Sequence, residues 1–314
     1  MIVITAGDPC GIGPEVIVKA LRAFRARPRI PIAVIGDRAT FSRVSTSLHL
    51  RLPAWAGFIE CGPPGAFRPG RSSAQAGAAS LAYLEQALSL WRQGRVRALV
   101  TAPVTKWAVA RVKPGFTGHT EYLAKAMKAR QVEMMFVADA MRVVVLTRHI
   151  PLRRVSASLT RSTLQRSLSL IASGLRDGFR IRRPRLAVCG LNPHAGEGAA
   201  GSEERRIFAP AMQALRRRGV RCDGPFAADG FFANARHAAS HDAVICAYHD
   251  QGLIPFKMMA RDAGCQMTLG LPIVRTSPDH GSALDIAGQG LADPGSMIYA
   301  LKLAIRLAGH AQRV

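Results

Sequence analysis

The sequence predicts an α/β protein made of two α/β/α domains with mostly parallel sheets, and three observations carry that reading. Short runs rich in β-branched residues alternate with longer stretches of helical periodicity, the pattern of a parallel sheet covered by helices. A chain of 314 residues, 48% of them apolar, can bury one large core or two medium ones. Loops with unusual side-chain chemistry follow the strand-like runs, and open parallel sheets bind ligands outside the carboxyl ends of their strands.

Taken in order, residues 2–5 form the first strand, and a helix over 15–24 follows, with Pro14 suited to its first turn. A strand at 32–35 leads to residues 52–74, whose prolines, glycines and serines predict a long surface excursion. A helix at 77–92, a strand at 98–101 and a helix at 120–128 come next, then a strand at 143–146 and a helix at 164–175. Residues 186–189 form a strand, 203–217 a helix, 243–247 a strand and 296–307 a final helix. No repeat of fixed period interrupts this order.

Composition narrows the function. The formal net charge of +23 is a common sign of polyanion binding. Here arginines occur in ones, twos and threes along the whole chain, no like-charged tail is present, and aromatics make up only 6%. Solvated helix faces therefore account for the charge better than a nucleic-acid surface. Six cysteines without a C-x-x-C pair fit a reducing compartment. There is neither a secretory leader nor an apolar run near the roughly 18 to 20 residues that span a bilayer, so a cytoplasmic location without membrane contact is expected.

Several loops carry the chemistry. After the first strand, GDPCGIGPE (7–15) forms a glycine-rich helix entry that suits an anion and suits a simple turn equally. Lys106 stands close behind the strand at 98–101. In FTGHTE (116–121), His119 and Thr120 open a helix, where they serve either an anionic ligand or merely a helix cap. His149, His194 and His249 each lie just beyond a predicted strand. Singly, such histidines are usually structural; three in equivalent positions also fit a catalytic metal site with an open coordination position. The stretch GEGAAG (196–201) matches G-x-G-x-x-G, but its first glycine comes six residues after Gly190 instead of at the strand end, which weighs against a dinucleotide fingerprint.

Five ordered blocks, ITAGDPCGIGPE (4–15), FTGHTE (116–121), GLNPHAGEG (190–198), YHDQG (248–252) and TLGLPIVRTS (268–277), resemble the 4-hydroxythreonine-4-phosphate dehydrogenase family of vitamin B6 biosynthesis. The resemblance runs from the first strand to the last helix. It implies a fold like that of isopropylmalate and isocitrate dehydrogenases, with the active site in the cleft between a cofactor-binding domain (1–125 with 272–314) and a metal- and dimer-forming domain (126–271). It implies that His149, His194 and His249 bind one divalent metal (Zn, Mg, Mn or Co), the third from the partner subunit of a homodimer. His119, Thr120, Lys257 and Arg275 would contact the phosphorylated substrate, lysine and arginine supplying the charge that phosphate needs.

The segment HGSALDIAGQGLADP (280–294) is similar to the nucleotide-binding stretch of isopropylmalate and isocitrate dehydrogenases. That implies NAD or NADP at His280, Gly281, Ser282, Ala283, Asp285 and Asp293. The activity implied is oxidation of the secondary alcohol of 4-phosphohydroxy-L-threonine with decarboxylation to 3-amino-2-oxopropyl phosphate, with Asp229 as a metal-side polar group or proton acceptor and Lys106 behind it. Two departures stand out. Gln266 replaces a common asparagine, and ADGFF (228–232) replaces ADTLF. They leave open a paralogue acting on 4-phosphothreonate or 4-phosphoerythronate; a dihydrodiol carboxylate without phosphate fits less well with Lys257 and Arg275. The charge keeps one non-enzymatic alternative, a polyanion-binding protein.

Overall fold

The computed structural model describes residues 1–63, 65–139, 141–197, 201–261 and 263–310. The chain divides into two compact units, Met1–Arg130 with Asp262–Val314, and Gln131–Arg261.

The first unit holds β1 (Ile2–Thr5), β2 (Ile32–Gly36), β3 (Gly57–Glu60) and β4 (Ala98–Thr101). β1 is buried along its whole length, as a central parallel strand with both faces covered must be. β1 pairs in parallel with β2 on one side and β4 on the other, and β2 pairs in parallel with β3. The chain thus runs from β1 to β2 on one side and adds β4 on the other only later, and the loops after β1 and β4 part at a topological switch point, where open sheets take ligands.

The second unit holds β5 (Glu133–Ala138), β6 (Arg142–Thr147), β7 (Arg185–Cys189), β8 (Arg221–Phe226) and β9 (Ala243–Tyr248). β5 and β6 are antiparallel, while β6, β9, β7 and β8 follow one another as parallel neighbours. Their loops thus leave from one edge. The core beneath contains Val143, Val145, Ala187, Cys189, Val244, Cys246, Leu253 and Phe256.

The chain then returns to the first unit through β10 (Gly264–Leu269) and β11 (Val274–Ser277), which pair antiparallel, with β11 parallel to β4. The expected domain boundary at 271/272 differs from the observed Arg261/Asp262 because β10 pairs with β11 and so belongs to the first unit. The other boundary falls at Arg130/Gln131, five residues beyond the expected 125/126.

Every predicted strand is present. β3 lies inside the predicted excursion, held by its ladder to β2. The helix expected over 203–217 is split into a π turn at Glu204–Phe208 and an α-helix at Ala209–Arg216. No helix among the described residues is long and apolar enough to cross a membrane.

Candidate active site

In the first unit, a cationic cluster is built around Arg275 on β11. Its side chain is 2% exposed. One terminal nitrogen donates to Thr268 Oγ1 at 3.0 Å and to Thr120 Oγ1 at 3.5 Å, and the other donates to Thr101 Oγ1 at 2.6 Å. Nε is buried without a partner, and no carboxylate forms an ion pair with this guanidinium among the described residues. Burial pulls its pKa down to about 10, partly offset by the more distant Glu121. A buried cation met only by hydroxyls is incomplete until an anion joins it.

His119 and Thr120 stand beside it. The helix His119–Ala126 begins one residue earlier than expected and is capped by Gly118, so Thr120 is not a cap; its hydroxyl serves Arg275 instead. Burial, then Arg275 and Lys106, push the His119 imidazole down to about 3, so it is neutral at physiological pH. Lys106, at the start of the helix Lys106–Val112, lies against Gly118: a β-carbon there would sit 3.8 Å from its Nζ. Gln266 accepts a hydrogen bond from Ser277 Oγ at 3.1 Å, while its Nε2 is buried without a partner.

The segment after β11 is fastened to the switch point. Ser282 O accepts from Ile12 N at 3.0 Å, and Ser282 Oγ accepts from Thr105 Oγ1 at 3.0 Å. Gly11 is needed for that approach, because a β-carbon there would meet Ser282 O at 2.8 Å. Lys19 Nζ donates to Glu15 Oε1, Gly290 O and Ala292 O at 2.7–2.8 Å. His280 Nδ1 donates to Gly281 O, leaving Nε2 buried and unpartnered. Ala283 adopts a φ of 40°, and Asp285 O accepts from Gln289 Nε2 at 2.7 Å. Asp293 Oδ1 accepts from Gly295 N at the start of the last helix.

In the second unit, the carboxyl ends of β6, β9, β7 and β8 carry His149, His249, His194 and Asp229 respectively. The His149 and His249 rings lie 5.9 Å apart, centroid to centroid, and line one cavity of 310 Å³. His249 Nδ1 is 2.6 Å from Asp250 Oδ1, which orients the ring and leaves Nε2 as the free lone pair. His149 and His194 both have left-handed backbones, φ 51° and 52°. Residues other than glycine seldom adopt that conformation, and it concentrates at functional sites. His194 does not line the cavity, and no three His, Cys, Asp or Glu side chains converge within one chain among the described residues. Imidazoles, one of them already oriented by a carboxylate, are donors that suit a divalent transition metal.

Asp229 is exposed near the start of the short helix Ala228–Ala233, which Phe231 anchors in the core. Lys257 stands exposed on the helix His249–Ala260. In the glycine match, residues 198–200 lie outside the described residues; Gly196 wraps around the buried Glu204 carboxylate, a poor neighbour for pyrophosphate. Thr101 and Thr268, the hydroxyls around Arg275, escaped the sequence reading: nothing marks an ordinary strand threonine until the fold brings it to a partner.

The α/β fold alone does not fix the reaction, because proteins of other activities share it; the relatives define the class, a dehydrogenase acting on a CH–OH group. The chain is 42% identical to a 4-hydroxythreonine-4-phosphate dehydrogenase of Chromobacterium violaceum, over 100% of this chain and 98% of that one. A crystal structure of 4-hydroxythreonine-4-phosphate dehydrogenase from Klebsiella pneumoniae matches with a TM-score of 0.86 at 36% identity, covering 98% of each chain. A terephthalate 1,2-cis-dihydrodiol dehydrogenase from Burkholderia xenovorans matches at 0.66 and 31%, covering 97% of each. The model of the pyridoxal phosphate biosynthetic protein PdxA family matches residues 17–304. The chain belongs to the PdxA family.

Proposed function

We propose that the chain oxidises 4-phosphohydroxy-L-threonine with NAD or NADP and releases carbon dioxide, giving 3-amino-2-oxopropyl phosphate for pyridoxal 5'-phosphate synthesis. The observation that carries this reading is Arg275: a buried guanidinium ringed by three threonine hydroxyls and flanked by Lys106 and His119 has the charge and donors for a phosphate. Lys257 adds charge, and the unpartnered Gln266 amide adds a donor for the same substrate.

His149, His194 and His249 would hold one divalent cation (Zn, Mg, Mn or Co), which supplies Lewis acidity toward a hydroxyl or carbonyl oxygen when bound. With a nicotinamide bound, Asp229 would accept the proton of the substrate hydroxyl while the carbon bearing that hydroxyl is oxidised by hydride transfer, and Lys106 would balance the charge that develops. The ketone formed lies β to the carboxylate, so carbon dioxide departs and the electron pair left behind takes up a proton. The segment carrying His280, Gly281, Ser282, Ala283, Asp285 and Asp293 takes the dinucleotide; its ties to Ile12, Thr105 and Lys19 hold it ready.

A second copy of the chain completes the metal site. Leu152 and Met258, 68% and 74% exposed, belong to the segments that follow His149 and His249, and Leu152 lines the same cavity as these two histidines, which suits an apolar contact with a partner there. A site shared across a homodimer accounts for three histidines that do not converge within one chain.

Gln266 and Gly230 favour a second reading, oxidation of 4-phosphothreonate or 4-phosphoerythronate, because a longer amide arm and a lost hydroxyl reshape the contacts of the unphosphorylated end. The dehydrogenase relatives leave the polyanion-binding alternative unsupported. Initial rates of NAD(P)H formation from these phosphorylated acids and from dephosphorylated 4-hydroxythreonine, in the parent and in Arg275→Met, test the proposal. The parent should prefer 4-phosphohydroxy-L-threonine, and Arg275→Met should lose roughly 10- to 100-fold in kcat/KM for it, the worth of a charged hydrogen bond. Faster turnover of another phosphorylated acid moves the assignment to the second reading. Equal rates with and without phosphate contradict both.

A further inference from the structure

We infer that Glu204 and Gln251 are positioning residues that hold the loops of His194 and His249 in their ligand-presenting conformation; the inference rests on the reading of those histidines as metal ligands. Glu204 is 4% exposed and has no basic partner among the described residues. Its Oε1 accepts from Leu191 N at 2.7 Å and Asn192 N at 2.8 Å, and its Oε2 accepts from Asn192 Nδ2 at 2.9 Å. A buried charge satisfied only by N–H groups of one loop fixes that loop, because any other loop conformation strands the charge.

The loop is shaped around this carboxylate. β-Carbons at Gly190 and Gly196 would come within 3.0 and 2.5 Å of its two oxygens, so only glycine allows the chain to wrap so closely. Between these glycines, His194 and Ala195 both take left-handed backbones, φ 52° and 54°, in a turn closed by Ala195 N to Asn192 O and Glu197 N to His194 O. Two consecutive strained residues persist only where surrounding bonds enforce them. Glu204 also opens the π turn Glu204–Phe208, a local change of helical register of the kind found at functional sites.

Gln251 couples this loop to the next strand end. Its Oε1 accepts from Ala247 N at 2.6 Å, two residues before His249, and its Nε2 donates to Gly190 O at 2.7 Å, where the His194 loop begins. One side chain thereby sets the distance between the ends of β9 and β7. None of these bonds reaches the proposed ligand nitrogens; they act on the backbone that carries them.

The test uses the full-length enzyme, stripped of metal and titrated with Zn²⁺ alone against a chromophoric chelator, with Co²⁺ as a spectroscopic stand-in whose visible absorption reports ligand geometry. Glu204→Gln, which turns an acceptor into a donor facing N–H groups, and Gln251→Met, which keeps length but loses both bonds, should each weaken Zn²⁺ roughly 10- to 100-fold and alter the Co²⁺ spectrum. A metal-free thermal midpoint near the parent's for Gln251→Met separates positioning from folding. His194→Ala is the control. If it weakens Zn²⁺ while both variants stay within about twofold of the parent with an unchanged Co²⁺ spectrum, the positioning inference fails and the ligand reading stands. If His194→Ala leaves Zn²⁺ affinity unchanged, the ligand reading fails and takes this inference with it. Should Glu204→Gln not fold, Gln251→Met decides.

Discussion

Two histidines show how backbone and side chain divide the work at single positions. His149 holds a φ of 51°, where a β-carbon is strained. His149→Gly in the metal-free protein should therefore be more stable than His149→Ala by about 1 kcal/mol. Urea midpoints compare the two, and a more stable alanine variant contradicts the strain. His119 acts through its protonation. Its pKa falls from 6.5 to about 3 on folding, first through burial and then through Arg275 and Lys106. As pH falls through that window, the unfolded chain takes up a proton that the folded chain refuses, so His119 lowers stability there and has no effect above it. His119→Gln should flatten the acid limb of the unliganded protein's stability between these pH values; an unchanged limb contradicts the shift. At this scale the sequence was informative where a residue type is rare and chemically marked. Histidines and Arg275 stand out in their blocks, whereas Thr101 and Thr268 acquire meaning only because β4 and β10 flank β11.

Among elements, the parallel run β6, β9, β7, β8 brings four separate loops to one edge. The helix that follows β9 must lie close on this sheet, and Gly252 permits it: a β-carbon would meet Val143 Cγ1 at 2.7 Å and Cys246 Sγ at 3.0 Å. Gly252→Ala should destabilise by about 1–3 kcal/mol, the usual effect of overpacking. It should also displace His249, so thermal midpoint and Zn²⁺ affinity should fall together; an unaffected midpoint contradicts the packing. Strands with β-branched runs such as β6 were legible in the sequence. β5, Glu-Met-Met-Phe-Val-Ala, lacks that signature, and β8 contains Gly224 and Pro225 because it lies at an edge, where a missing donor is tolerated. The π turn at Glu204 had no periodic signal, since it is imposed by the loop that the carboxylate holds.

For the whole molecule, the sequence carried the family blocks, and the resemblance implied two domains, while the return of β10 to the first unit depended on its partner β11. The net charge of +23, which invites a polyanion reading, belongs to a chain of a dehydrogenase family, and the cation proposed to meet the substrate phosphate is a buried arginine, not a surface patch. The proposed mechanism requires a metal held by His149, His194 and His249 for oxidation of the phosphorylated hydroxy acid. Its most direct test is NADH or NADPH formation from 4-phosphohydroxy-L-threonine by enzyme stripped with a chelator, before and after a divalent metal is restored. Turnover should disappear on stripping, return with the metal, and not return in His194→Ala; full turnover by the stripped enzyme would contradict the metal requirement.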